Sequence, residues 1–145
     1  MTNTPFSWLA DTTIAFIGDS ITADGRSNYV SLLMSTLSDH VDASGVNVVN
    51  AGVDSSSVID ALDRLPDILL EHDPDVCVFF LGVNDSKIFH GIEKPLLSVN
   101  MYKDGYAHLL DAADKGRSRT KVLLTIPPLL FDEIKTGTFL ANYWY

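Results

Sequence analysis

The chain has 145 residues, a mass of 15.9 kDa, 46% hydrophobic and 20% charged residues, and a formal net charge of −9. That length suits a single domain, residues 1–145, with a real core, and the composition excludes a disordered, collagen-like or low-complexity chain. Ten Lys and Arg, scattered against nineteen acids, exclude a nucleic-acid backbone binder and disfavour an anionic membrane surface, and a single cysteine excludes an internal disulfide or a Cys-based zinc site.

Short apolar runs alternate with segments of helical spacing. Thr12–Gly18 (TTIAFIG) is the first run. Tyr29, Leu32, Leu33 and Leu37 then share one face of a helix expected over roughly Ser27 to His40. Val46–Asn50 (VNVVN) is the second run, followed by a helical pattern through Val58, Leu62, Leu65 and Leu69 that Pro66 should kink or split. Asp75–Gly82 (DVCVFFLG) is the third run. Tyr102, Tyr106, Leu109, Leu110 and Ala113 predict a helix that Gly116 ends, and Thr120–Ile126 (TKVLLTI) is the fourth run. Runs that are apolar almost without a break read as strands buried on both faces. Alternating β and α elements then predict an α/β fold, a three-layer α/β/α sandwich with right-handed crossovers. No apolar run is long enough to cross a bilayer, and the N-terminus lacks a basic stretch ahead of an apolar core, so the expected location is cytoplasmic.

Ligands of such sheets bind where the strands end at their carboxyl side. Gly18-Asp19-Ser20, Asn50-Ala51-Gly52, Gly82-Val83-Asn84-Asp85 and Pro127-Pro128 follow the four runs, so small and polar residues collect at one edge. A serine at a sharp strand-to-loop turn can present its Oγ and its own backbone N–H to the same spot, as a nucleophile and an oxyanion donor. Asn84 offers an uncharged NH2 donor, and Gly52 a backbone N–H with no side chain in the way. Thr22, two residues after Ser20, distinguishes this turn from the G-x-S-x-G elbow.

These residues resemble the SGNH, or GDSL-type, hydrolases, a family of esterases, lipases, thioesterases and carbohydrate acetylesterases. Ser20 in GDSIT matches the nucleophile of the first family block, Gly52 in NAG the glycine of the second, and Asn84 in GVND the asparagine of the third. The stretch from Arg64-Leu65-Pro66 through Pro74-Asp75-Val76 follows the family's approach to that third block. The resemblance spans about Thr12 to Pro128. It implies a flavodoxin-like parallel sheet, catalysis by Ser20 with Gly52 and Asn84 in the oxyanion hole, a small-molecule ester or thioester substrate, and neither metal nor organic cofactor.

The family's last block, D-x-x-H, supplies the base. The four histidines are His40, His72, His90 and His108, and Leu37, Leu69, Lys87 and Gly105 stand three residues before them. None is an aspartate. The sequence therefore reads as the N-terminal two-thirds of the domain, impaired as an ester hydrolase on its own, with His90 the one candidate substitute base. In the strand order 2-1-3-4-5, a missing fifth strand leaves the fourth as an open edge that invites a homodimer, aggregation or a separate segment completing the domain, unless Phe139, Leu140, Tyr143, Trp144 and Tyr145 cover it. The expected alternatives to catalysis are a binding module holding an acyl, carboxylate or phosphate group in the same pocket, and a flavodoxin-like phosphate or flavin binder.

Other residues have plainer expected roles. Ser20 could cap the following helix, and Asp19 and Asp85 could brace loops or, with Asp54, hold Mg²⁺. Cys77, Tyr102 and Tyr106 should pack in the core. His40, His72 and His108 should be solvated, Pro127-Pro128 should stiffen a loop, and Phe6 and Trp8 should cover one end of the core.

Overall fold

A computed structural model describes residues 7–24, 29–39, 45–89, 94–116, 120–123 and 139–141. A 3-10 turn at Ser7–Leu9 leads into β1 (Thr13–Gly18), the short helix α1 (Ser20–Ala23) and α2 (Tyr29–Ser38). Then come β2 (Asn47–Gly52), α3 (Val58–His72), β3 (Val76–Phe80), β4 (Lys87–Phe89), α4 (Val99–Lys115), β5 (Thr120–Leu123) and β6 (Phe139–Ala141). Strands β2-β1-β3-β5 form a parallel sheet in that order, and β4 and β6 form a separate antiparallel ribbon.

Side-chain alternation along the strands builds three layers. Ala15 and Ile17 of β1 and Cys77 and Phe79 of β3 face Val58, Ala61 and Leu65 of α3 and Leu109 and Ala113 of α4. Their neighbours Ile14, Phe16, Val76 and Val78 face the other way, against Val30 and Leu37 of α2 and against Leu9. Both faces of the central strands are thus buried, which is why their sequences carry no polar alternation. Phe79 is fully buried, worth roughly 2–3 kcal/mol in transfer from water.

Three expectations need correction. Of the two outcomes expected at Pro66, a kink or a split, the split does not occur: α3 runs unbroken from Val58 to His72, with Pro66 on its exposed side. On the outer face the ring's cost stays within the helix, as the lost hydrogen bond and the crowding of the ring against the Leu62 carbonyl. Trp8 does not cover the core. It is 67% exposed, and Leu9 beside it is the buried residue. Phe139 and Leu140 do not lie along the fourth parallel strand; they pair with Phe89 and Ile88 of β4. Phe6, Tyr143, Trp144, Tyr145 and Pro127-Pro128 lie outside the described residues.

The helix ends have clear local causes. Ser57 caps α3 through a reciprocal capping box with Asp60, and Ser98 caps α4 by accepting from the Met101 N–H. At the other end of α4, Gly116 is the C-cap, as the sequence predicts. Gly105 lets α4 approach α3, since a Cβ there would stand 2.8 Å from Val58 Cγ1.

Candidate active site

The strands end level. Gly18 of β1 pairs with Gly52 of β2 and with Phe80 of β3, so the segments that follow emerge side by side. The turn after β1 is fixed by Asp19, the N-cap of α1, whose Oδ1 accepts from the Ile21 N–H at 2.9 Å. Asp19 is the capping residue, and Ser20 is the first residue of the helix, exposed at the sheet edge. The plainer expectation that Ser20 caps is therefore corrected: the cap falls one residue earlier, where a carboxylate reaches the free N–H groups of the first turn.

Gly52 is where the second segment meets the first. A Cβ at this position would stand 2.4 Å from Ala23 N and 2.7 Å from Thr22 C, inside the backbone of α1. Only glycine lets β2 and α1 lie this close. The Asn50 carboxamide ties the two together, donating from Nδ2 to Thr22 O (2.8 Å) and accepting the Gly52 N–H at Oδ1 (3.0 Å). The N–H expected to serve as an oxyanion donor is thus held by a neighbouring side chain.

Asn84 joins all three segments. Its Nδ2 donates to Ser56 O at 3.0 Å and reaches Asp19 Oδ2 at 3.4 Å, and its Oδ1 accepts from Lys87 Nζ. The side chain is 3% exposed. Its loop is carried by an ordered base. Gly82 adopts φ +137°, which only glycine takes without strain. Tyr102 and Tyr106 both donate from their hydroxyls to Leu81 O, at 3.0 and 3.2 Å, while the Leu81 N–H donates back to Tyr106 Oη. Asp85 accepts the Val58 N–H at 2.8 Å and so anchors the loop to the start of α3. Its other oxygen, Oδ2, is buried without a hydrogen-bond partner among the described residues.

Two buried carboxyl groups therefore lie beneath the rim. Burial pushes Asp19 above the ordinary carboxylate range; the Ile21 N–H and the Lys87 ammonium oppose that shift, and Asp54 adds to it. Burial likewise raises Asp85, against the Val58 N–H and with help from the nearby Asp19. Both residues are structural braces, as the sequence suggests. Among the described residues no group of three or more His, Cys, Asp or Glu is placed to hold a metal ion.

Sequence reasoning placed Ser20, Gly52 and Asn84 at one edge, and the structure joins their segments through Asn50 and Asn84. It missed Lys87, Ser56, Asn50 and the hydroxyl role of the tyrosine pair. The Tyr102 and Tyr106 rings do pack, edge to face at 4.9 Å, but their hydroxyls do the positioning. Their i, i+4 spacing beside a strand-ending glycine was the available signal. Of the histidines, His72 is half-buried at the far end of α3 and His108 is exposed, its Nδ1–H donating to Asp104 O. His40 and His90 lie outside the described residues.

A level parallel sheet edge thus carries a helix-start serine and a buried asparagine on adjoining segments. The GDSL-like lipase/acylhydrolase family matches residues 16–142, and the chain belongs to that family. It is 27% identical over 116 residues to an arylesterase of Vibrio mimicus, covering 77% of this chain and 54% of that protein. Among solved structures it resembles TesA (TM-score 0.64, 26% identity, 80% of this chain and 62% of that one). It also resembles the acetyl xylan esterase AlAXEase (TM-score 0.64, 25% identity, 77% and 56%). The chain thus spans about half the length of the arylesterase and less than two thirds of the two structures.

Proposed function

We propose that this chain carries the acyl-transfer site of a carboxylic ester hydrolase, with Ser20 as nucleophile and Asn84 as the main oxyanion donor. Ser20 Oγ attacks the ester or thioester carbonyl, the carbonyl π electrons move onto oxygen, and the Oγ proton passes to a base. Collapse expels the alcohol or thiol, which takes up that proton, and water then repeats the sequence to release the acid. The Ser20 N–H holds the oxyanion, and an Asn84 N–H joins it when the reacting oxygen shares or displaces the bond to Asp19 or Ser56. Gly52 joins them when the reacting oxygen shares or displaces the bond from its N–H to Asn50. The observation that carries this reading is the Asn84 carboxamide, buried beside the Asp19-Ser20 turn with its NH2 directed to that turn and to Ser56.

Membership of the family and the arylesterase and acetyl xylan esterase relatives support the ester as substrate. The base in this reading is a histidine of the D-x-x-H type, a spacing that none of the four histidines of this chain has. A serine without its base loses most of its rate; in subtilisin, removal of the histidine costs about a millionfold. The chain is therefore expected to hydrolyse p-nitrophenyl acetate very slowly or not at all, and to react slowly with a fluorophosphonate at Ser20 alone. Intact-mass measurement of the parent and of Ser20→Ala checks this. An equal mass increase in both would remove Ser20 as nucleophile. No reaction in the parent, together with saturable binding of a carboxylate or phosphate, would favour the second reading, a binding module using the same pocket.

A further inference from the structure

We propose that Lys87 is a positioning residue for Asn84: its ammonium fixes the carboxamide with NH2 toward the Asp19-Ser20 turn and offsets the buried Asp19 carboxylate on the other side of the amide. The inference rests on the reading of Ser20 and Asn84 given above.

A carboxamide has nearly the same shape either way round, and its partners decide which end faces where. At Asn84 those partners are unambiguous. The nitrogen side meets two acceptors, Ser56 O and Asp19 Oδ2, and the oxygen side meets a cation, Lys87 Nζ. Without the cation, Oδ1 would be a buried acceptor without its charged donor, and the carboxamide would be held at its nitrogen end alone. A charged donor on the carbonyl also polarises the amide, so its N–H groups become stronger donors.

The second part is charge. An oxyanion formed beside Ser20 lies next to the Asp19 carboxylate in a chain of net charge −9, with Asp54 also acting on Asp19. Lys87 is the cation whose field reaches Asp19 and favours its ionised form. With the ammonium on the carbonyl side of the amide and the carboxylate on its nitrogen side, Lys87 offsets part of the repulsion that Asp19 would exert on the reacting oxygen.

Lys87 is held for this task. Its N–H donates to Asn84 O at 3.2 Å, its carbonyl accepts from the Leu96 N–H at 3.0 Å, and it pairs with Ala141 in the β4–β6 ribbon. Its half-buried stem directs the ammonium inward.

The test compares Lys87→Met, Lys87→Arg, Asp19→Asn and the Lys87→Met/Asp19→Asn pair in the full chain. Two signals are read: the Asn84 side-chain NH2 resonances in a ¹⁵N-labelled sample, and the saturating rate of Ser20 phosphonylation by a fluorophosphonate. In Lys87→Met the NH2 protons are expected to move upfield. Phosphonylation should slow about tenfold, a fraction of the 10²–10³ that a whole oxyanion donor supplies, with half-saturation within about twofold of the parent. Lys87→Arg should restore most of the rate, and adding Asp19→Asn to Lys87→Met should recover part of it. Unmoved Asn84 resonances in a folded Lys87→Met would overturn the proposal, as would a loss confined to half-saturation. So would a double variant no faster than the single one. If Lys87→Met does not fold, Lys87→Gln takes its place with the same criteria. If the parent is not phosphonylated at Ser20, the proposed nucleophile fails, and the NH2 resonances alone still decide what holds Asn84.

Discussion

At the level of single residues, the site is built from side chains that each serve two neighbours. Asn84 touches the segments after β1 and β2 while sitting in the one after β3, so it is a structural joint as well as a donor. Gly52 is tightly constrained by backbone. Gly52→Ala would drive a methyl group into the α1 backbone, and overpacking of that kind typically costs about 1–3 kcal/mol. Urea denaturation should show that loss, with Ser20 reactivity falling alongside it because α1 carries Ser20. The carboxyl groups set the response to acid. Asp19 and Asp85 hold protons in the folded chain at pH values where the unfolded chain, near 3.8, has released them. Their contribution is therefore full below 3.8 and declines as pH rises through their higher folded values. Asp60 acts the opposite way: the Ser57 side chain lowers it, so its contribution is present above 3.8 and lost as the pH falls. Urea midpoints measured from about pH 3 to 7 should thus decline less steeply with rising pH in Asp19→Asn than in the parent. Ser20, Gly52 and Asn84 were legible because each closes a buried strand with a small or polar residue. Lys87 was not, because a lysine three residues after an asparagine has no periodic signature; only the fold turns its ammonium inward.

At the level of elements, what was legible followed burial. The central strands β1 and β3 and the helices α2, α3 and α4 are visible in the sequence because two buried faces demand unbroken apolar runs and one buried face demands helical spacing, whereas β2 is only partly buried and keeps Asn47 and Asn50 exposed. The β4–β6 ribbon was hidden because Lys87–Phe89 and Phe139–Ala141 are three residues each, too short for a period to register, and their pairing joins distant parts of the chain. Pro66 misled because local propensity says break, whereas α3 is held by Ala61 and Leu65 on its buried side and by a full capping box. That tolerance has a measurable cost. Pro66→Ala should restore an interior helix hydrogen bond and raise stability by roughly 2 kcal/mol, the helix penalty of proline less what its rigidity removes from the unfolded chain. A higher thermal midpoint with Ser20 reactivity unchanged is the expected outcome, since Pro66 lies on the exposed side of α3 two turns from its N-terminus.

At the level of the molecule, the described sheet runs β2-β1-β3-β5 and ends at β5, with β6 paired elsewhere. We propose that β5, which has no outer strand neighbour among the described residues, offers that edge to a second copy. Sedimentation at micromolar concentration should then show a dimer, and Lys121→Pro, which removes one backbone donor, should shift it toward monomer. A compact monomer in the parent chain would rule this out. The ribbon also bears on the timing of biosynthesis. As the polypeptide leaves the ribosome, β1, β2, β3, α3 and α4 can assemble around Asn84 long before Ala141 emerges. The arm bearing Lys87 must wait for that late segment before its strand partner exists. The sheet edge is thus laid down early, and the strand partner of the arm behind it is among the last pieces made.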